Sequence, residues 1–313
     1  MLSAPLIRRA LLARGLLVFS AFYFVALMRW TWPWRPATWL YFFVRFPIQQ
    51  ALQYLLIGAI VFVPLELLAR RHEKSILRPG VITDVLHATV GIVLAAVPLF
   101  FLAGFISLAS IDASADFITS QPRWLQIVGA LLFREFLAYW GHRTTHMIPF
   151  LWRFHEVHHS SPELDWLSAV RRHPLDLVWV TLVRVVPLGL TGFQAVDIAF
   201  LYVASAGWAL YIHSNTKWRL RFFGPVLVTA EYHHWHHVSA REDHDKNYGE
   251  FTGLFDKVFG TYLLPADRRP DDYGTSGDLS DGFTDQLLLR RRASTRRRNP
   301  SLRSSMHAAE RTR

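Results

Sequence analysis

Not one of the 313 residues is cysteine. That absence excludes disulfides, cysteine-held iron–sulfur clusters, thiolate-ligated haem and cysteine-rich zinc sites. Any metal must be held by histidine, carboxylate or water. Charge is also scarce: 19% of residues are Asp, Glu, Lys or Arg, against 51% hydrophobic and 14% aromatic. This balance suits a chain partly solvated by lipid. The net charge of +10 is local, because Arg290 to Arg313 contain nine Arg and one Glu. Subtracting that +8 leaves the remaining chain near neutral at +2, so no nucleic-acid-binding surface is indicated. A basic tail of this kind reads as a solvated, disordered segment able to touch anionic headgroups. No internal repeat beyond the histidine pattern and no Gly-rich dinucleotide fingerprint is found, so no electron-transfer domain is expected within these 313 residues.

What is present are long apolar runs. Val85 to Ile111 spans 27 residues without Asp, Glu, Lys or Arg. At about 1.5 Å per residue it crosses a hydrocarbon core of about 30 Å. Phe46 to Ala69 is nearly as apolar, with one acid, Glu66, near its end. Gly15 to Met28 follows Arg8, Arg9 and Arg14 and precedes Trp30, Trp32 and Trp34. No small-x-small cleavage site follows it, so it reads as a membrane anchor with an interfacial aromatic belt. Trp124 to Gly141 is a fourth apolar stretch, interrupted by Arg134 and Glu135. Leu175–Leu190 and Ala195–Ile212 are expected to form a helical hairpin around Leu190, Thr191 and Gly192. Arg70, Arg71, Lys74 and Arg78 lie between two strong spans and predict a cytoplasmic loop. Counting six crossings puts every histidine group at that same face.

Histidine is the unusual excess. Eleven of fifteen fall between His142 and His237. They form three groups: His142-Arg-Thr-Thr-His146, His155-Glu-Val-His158-His159, and His233-His234-Trp-His236-His237. On an α-helix, positions i, i+3 and i+4 share a face, so each group aims two or three imidazoles one way. Neutral imidazole ligates iron, zinc, copper and nickel. Eight such ligands exceed the needs of one tetrahedral ion and fit two ions. Isolated histidines such as His72, His87 and His307 read as ordinary surface or core residues.

The order HxxxH, HxxHH, HxxHH in a polytopic chain resembles the fatty acid hydroxylase/sterol desaturase superfamily of membrane histidine-box di-iron oxygenases. The surroundings agree: Tyr139-Trp140-Gly141-His142-Arg143, Leu151-Trp152-Arg153-Phe154-His155, Arg172-His173-Pro174-Leu175, His213-Ser214-Asn215, Asn247-Tyr248-Gly249 and Phe259-Gly260-Thr261. The likeness runs from about Glu135 to Tyr262. It implies an all-α fold, a polytopic membrane helical bundle with a cytoplasmic histidine-rich helical cap. Residues 1–122 would be N-terminal transmembrane helices, 123–265 the hydroxylase-like catalytic domain and 266–313 a basic, disordered tail. The ligands it implies are His142, His146, His155, His158, His159, His233, His236 and His237, with His213 as a ninth. His173 is implied as a ligand or as a residue that orients one. Some relatives carry a further His where this chain has Ala209, and His234 lies off the repeated spacing.

The implied chemistry is oxidation of a lipid C–H bond by O2 at two iron ions, with zinc able to replace iron during purification. Electrons would come from a separate reductase through a cytochrome or ferredoxin. A metal-bound imidazole usually donates its second N–H to a carboxylate or carbonyl; Glu135, Glu231 and Asp243 are candidates. The pocket is expected to open to an apolar groove walled by Val85–Ile111 and the Leu175–Ile212 hairpin. Three rival readings stand beside this one, the first a haem protein using paired histidines, which has no need of adjacent His158-His159 or His236-His237. His155-Glu156-Val157-His158-His159 also satisfies HExxH, the zinc protease pattern with Glu156 as base, and a non-enzymatic metal-binding membrane protein would also use clustered histidines.

Overall fold

The computed structural model describes residues 41–73, 75–109, 117–275 and 279–291. Among them every regular element is helical, and β-pairing is limited to isolated bridges such as Arg70 with Thr216. A short π-turn, Tyr41–Arg45, leads into α1 (Phe46–Ala69), which carries a proline in its first turn, where the missing N–H costs nothing. α2 (Val81–Leu86) continues through a π-turn into α3 (Ile92–Ala109). α4 (Arg123–Met147) and α5 (Pro149–His159) are separated only by Ile148. Pro149 forces the residue before it out of the helical region, and Ile148 is indeed extended. A 3₁₀ turn (Trp166–Val170) precedes α6 (Pro174–Leu190) and α7 (Ala195–His213). The turn between them places Gly192 at positive φ, as the expected hairpin requires. Short helices α8 (Ala230–His236), α9 (Leu254–Val258) and α10 (Phe283–Leu287) complete the chain.

Among the described residues three helices are long and apolar enough to cross a membrane: Phe43–Ala69, Val81–Leu102 and Val196–His213. Their apolar side chains are mostly turned outward, as at Leu56, Ile60, Phe101, Phe200 and Val203. This is a surface suited to lipid rather than water. These three helices correspond to three of the six crossings expected from sequence. The Trp124–Gly141 stretch lies in α4, where Arg134 and Glu135 are buried as ion-paired groups rather than lipid-facing ones. α6 is 17 residues long and packs along α4. The Gly15–Met28 anchor, the Ile111 end of the second apolar run and the Arg292–Arg313 tail lie outside the described residues.

The spans α1, α2 and α7 meet at one end. Lys217 N donates to Ala69 O (2.8 Å) and Arg71 N to Asn215 O (3.0 Å). The Glu66 carboxylate accepts from Trp166 N and Asn215 N, both at 2.8 Å. Trp166 packs against Phe62 and Leu210, and Gly58 is the position that admits it: a Cβ there would lie 2.7 Å from the indole. A buried four-membered ion cluster locks the same end. Arg78 bonds Asp84 and Asp165, and Arg171 bonds Asp84 (2.5–2.8 Å). Removing one member of such a cluster typically costs about 3–5 kcal/mol, because a partner is left charged and unpaired.

Part of the stretch expected to be a disordered tail is folded. Tyr273 and Gln286 are buried. The Gln286 amide bridges His87 Nε2 (2.9 Å) and Ser160 Oγ (3.1 Å), and Thr83 Oγ1 donates to Asp281 O. Hydrogen bonds hold this segment together with burial of Tyr273 and Leu279.

Candidate metal centre

The corner at Ile148 folds α5 back on the end of α4, so the first two histidine groups face each other. The imidazoles of His142 and His155 approach to 3.2 Å at Nε2, and the rings of His146 and His159 lie 4.8 Å apart. α8 arrives opposite, capped by Thr229, whose side chain accepts from Tyr232 N. α7 ends on His213, whose Nε2 lies 3.1 Å from His158 Nε2 and 3.2 Å from His233 Nε2. Nine histidines thereby form two compact sets. One holds His142, His146, His155, His159 and His236; the other holds His158, His213, His233 and His237. Within each set the candidate ligand atoms all lie within 4.8 Å of one another. Two nitrogens bound at about 2.1 Å and at right angles sit about 3.0 Å apart, close to the observed 3.1–3.2 Å approaches.

Helical geometry explains the partition. In His155–His159 the i and i+4 residues serve the first set and i+3 serves the second. In His233–His237 the same spacing is used in reverse: His233 and His237 serve the second set and His236 the first. Adjacent residues point about 100° apart around a helix, so each HxxHH feeds both sets. The sets abut, with the His159 and His237 rings stacked at 4.3 Å.

The outer faces of the rings are held. Nδ1 of His155 meets Asp176 at 3.0 Å, and Nδ1 of His146 meets Asp245 at 3.3 Å. Backbone carbonyls take four more: Tyr248 O for His142, Lys246 O for His236, Arg171 O for His158 and Ala209 O for His213 (2.7–3.2 Å). Nδ1 of His233 and His237 has no partner among the described residues. Fixing Nδ1 as donor leaves Nε2 as the lone-pair nitrogen facing inward, the tautomer a metal requires.

The expected carboxylates do other work. Glu135 accepts from Phe251 N (2.7 Å) and Thr252 N (3.1 Å) and pairs with Arg134. Glu231 is taken by Arg219 and Arg221, and Asp243 by Arg268. His173 stands outside both sets: its Nδ1 accepts from Leu175 N as the α6 cap, and its Nε2 donates to Leu287 O (3.1 Å). His234 turns to Tyr273 Oη and His213 O.

The Asn247-Tyr248-Gly249 turn positions two ligands. Asn247, at positive φ, bonds Tyr232 O and both backbone groups of Leu263. Asp256 accepts from Tyr248 N, Gly249 N and Thr261 Oγ1 (2.7–2.8 Å). The turn so fixed offers Lys246 O and Tyr248 O to the two rings. Gly249 permits it, since a Cβ would lie 2.2 Å from Thr252 O.

Whether this donor set fits metal can be tested on the buried nitrogens. His146, His159 and His236 Nε2 have no partner among the described residues. Each orphan costs about 1–3 kcal/mol, a sum that reaches into a domain's whole net stability of about 5–15 kcal/mol. Binding of a metal ion, worth about 10–16 kcal/mol in small zinc domains, offsets a penalty of that size. Burial, and then mutual repulsion, pushes the His142, His158, His159, His233, His236 and His237 imidazoles well below their ordinary range. His146 falls to about 4, again chiefly through burial. Neutral imidazole is the ligating form, and the residues fit two cations.

Residues 127–261 match the family model for fatty acid hydroxylase. This chain carries a fatty acid hydroxylase domain. All nine clustered histidines lie within that domain. Among similar proteins, ornithine lipid hydroxylase of Rhizobium tropici is 31% identical over 53% of this chain and 50% of its own length. Human alkylglycerol monooxygenase is 27% identical over 42% of this chain and 29% of its own. Delta(7)-sterol 5(6)-desaturase of Gibberella zeae is 29% identical over 43% and 37%. The chain thus spans half of the first relative and less of the others. No solved structure matches.

A cavity of about 580 Å³ opens onto the hydroxylase domain's five-histidine set at His146, His159 and His236. Its remaining walls are mixed, with Trp152 and Val238 beside Glu156, Arg241, Asp245 and Arg291. None of them comes from the Val85–Ile111 run or the Leu175–Ile212 hairpin that were expected to wall it. An apolar groove of about 350 Å³ does exist between α1 and α2, including Val85, but it touches none of the nine histidines.

Proposed function

We propose that this chain is a membrane-embedded di-iron oxygenase that hydroxylates or desaturates a lipid C–H bond. The observation that carries the reading is the pairing of five and four buried imidazoles, six of them with the outer nitrogen held by a carboxylate or carbonyl. The relatives named as a lipid hydroxylase, a monooxygenase and a sterol desaturase support the substrate class. Bound iron would supply O2 activation. The protein's own residues hold the ligand tautomers, keep the inner nitrogens dry and aim the substrate. For hydroxylation, R–H, O2, two electrons and two protons give R–OH and water. The electrons come from an external cytochrome or ferredoxin and its reductase. The basic loop bearing Arg70, Arg71 and Arg78 lies at the histidine end of the spans, which supports a cytoplasmic face for the site.

The zinc protease alternative needs the Glu156 carboxylate free to activate water. That carboxylate is instead held by Arg291 (2.7–2.8 Å). The test is elemental analysis of purified protein alongside O2 uptake. Close to two metal ions per chain are expected, with uptake dependent on iron, lipid and reductant. Well-folded, active protein with at most one ion overturns the reading.

A further inference from the structure

Residues 279–291 lie beyond the matched residues 127–261, yet they grip the helix that carries His155 and the helix that supports it. We propose that this segment is a clamp that sets how tightly the five-histidine set holds its ion, with Gln286 and the Leu287 carbonyl as its positioning groups. The proposal rests on the two-cation reading of the histidine sets. The segment is closed on itself. Leu279 pairs with Arg291 in an isolated bridge, Ser280 N donates to Arg290 O (3.2 Å), Arg290 N to Asp285 O (2.8 Å) and Ser280 Oγ to the Asp285 carboxylate (2.8 Å). It meets its neighbours as one built loop rather than as a trailing end.

The first grip is on α5. A helix of 11 residues is marginal by itself, so the register of His155, His158 and His159 is set by what packs on it. Successive residues turn about 100°, which puts Glu156 and Ser160 on one face, beside the face bearing His155 and His159. The clamp takes that face. Gln286, fully buried, bridges Ser160 Oγ (3.1 Å) and His87 Nε2 (2.9 Å), and so ties the end of α5 to the residue that ends α2. The Arg291–Glu156 pair one turn back is half-exposed and adds little.

The second grip is on α6 and works through a tautomer. His173 Nδ1 accepts from Leu175 N as the α6 cap (3.1 Å), which requires the ring proton on Nε2. Leu287 O accepts from that Nε2 (3.1 Å), so it selects the capping tautomer and fixes the ring. The cap anchors the first turn of α6, where Asp176 meets His155 Nδ1 at 3.0 Å. The path from Leu287 through His173 and Asp176 thus ends on a ligand of the five-member set. The other set takes His213, His233 and His237 from outside the two gripped helices.

The test uses the full chain in detergent, loaded with two zinc ions, and follows their release to excess chelator. Gln286→Met removes both amide contacts at similar size. His173→Asn keeps a side chain that caps a helix well but is too short to reach Leu287 O. Each should speed the release of one ion about tenfold, the low end of the range for lost outer partners, and leave the other ion's rate as in the parent. In a His233→Ala background, which leaves the five-member set alone, the remaining ion should show the same acceleration. His173→Asn should add little to Asp176→Asn, because both act on the same imidazole. Parent-like release in both variants would overturn the clamp. So would equal acceleration of both ions, which marks general support of the fold, or an unaffected ion in the His233→Ala background. A full tenfold gain over Asp176→Asn would overturn the route through that carboxylate. A parent that never holds two zinc ions would refute the two-cation reading instead. None of these readouts needs turnover, so lipid-dependent O2 uptake is scored separately.

Discussion

The two histidine sets differ in access and in support. The five-member set borders the cavity through three rings, and two of its outer nitrogens face carboxylates, Asp176 and Asp245. None of the four-member set lines that cavity, and its outer partners are the carbonyls of Arg171 and Ala209. Although burial opposes its charge, Arg172 and His155 hold the Asp176 carboxyl well below the usual carboxylate range. The hydrogen bond from His146 does the same for Asp245. A carboxylate behind an imidazole makes it a stronger electron donor, whereas a carbonyl mainly orients it. The difference teaches that two sites built from one residue type are tuned by what stands behind them: one open and electron-rich, one closed and fixed by backbone.

The largest effects come from removing ligands. His236→Ala should empty the open set and His233→Ala the closed one. Both should abolish lipid oxidation and leave about one ion per chain, measured by elemental analysis. If either variant keeps two ions and activity, the partition is wrong. Stripping metal with chelator should lower thermal stability by several degrees, since about 1 kcal/mol shifts Tm by about 2–4 °C in chains of 150–250 residues; an unchanged melting curve breaks the claim that the orphaned nitrogens are a burden. Asp176→Asn tests the support. It should cut metal affinity or turnover about 10–100-fold, and should free iron from the open set before the closed one. Equal loss from both sets would remove the distinction. The smallest effect is expected at Glu156→Gln, which breaks only a pair with half-exposed Arg291. Such pairs are worth about 0–1 kcal/mol, so most oxidation should survive there, while His158→Ala, one helical face away, abolishes it. The reverse ranking belongs to a protease.

The nine clustered histidines were legible because i, i+3 and i+4 spacing is local and their order resembles a known pattern. Their supports were not. Asp176 is 21 residues from His155, and Asp245 is 99 from His146. Nothing short-range marks either. Glu135 sat at the right helical offset from His142, but nearby Arg134 and the unpaired amides of Phe251 and Thr252 compete for it. Arg134 and Glu135 also made α4 look like an interrupted span. The interruption is instead an interior ion-pair cluster with Glu250, which Arg184 of α6 completes. Residues 279–291 look like solvated tail by composition, because Gln286, Asp281 and Leu287 hold them through polar groups that hydropathy does not register.

The interleaving of α8 into both sets has a consequence for biogenesis. His236 completes the five-member set, and His233 and His237 complete the four-member set. Neither can be finished until the last of these residues has left the ribosome, after α7 has been delivered to the bilayer. A nascent chain arrested before His233 lacks one histidine of the five-member set and two of the four-member set. On the di-iron reading, cofactor insertion would then wait on completed synthesis, and a chain truncated before α8 would lack residues of both sets.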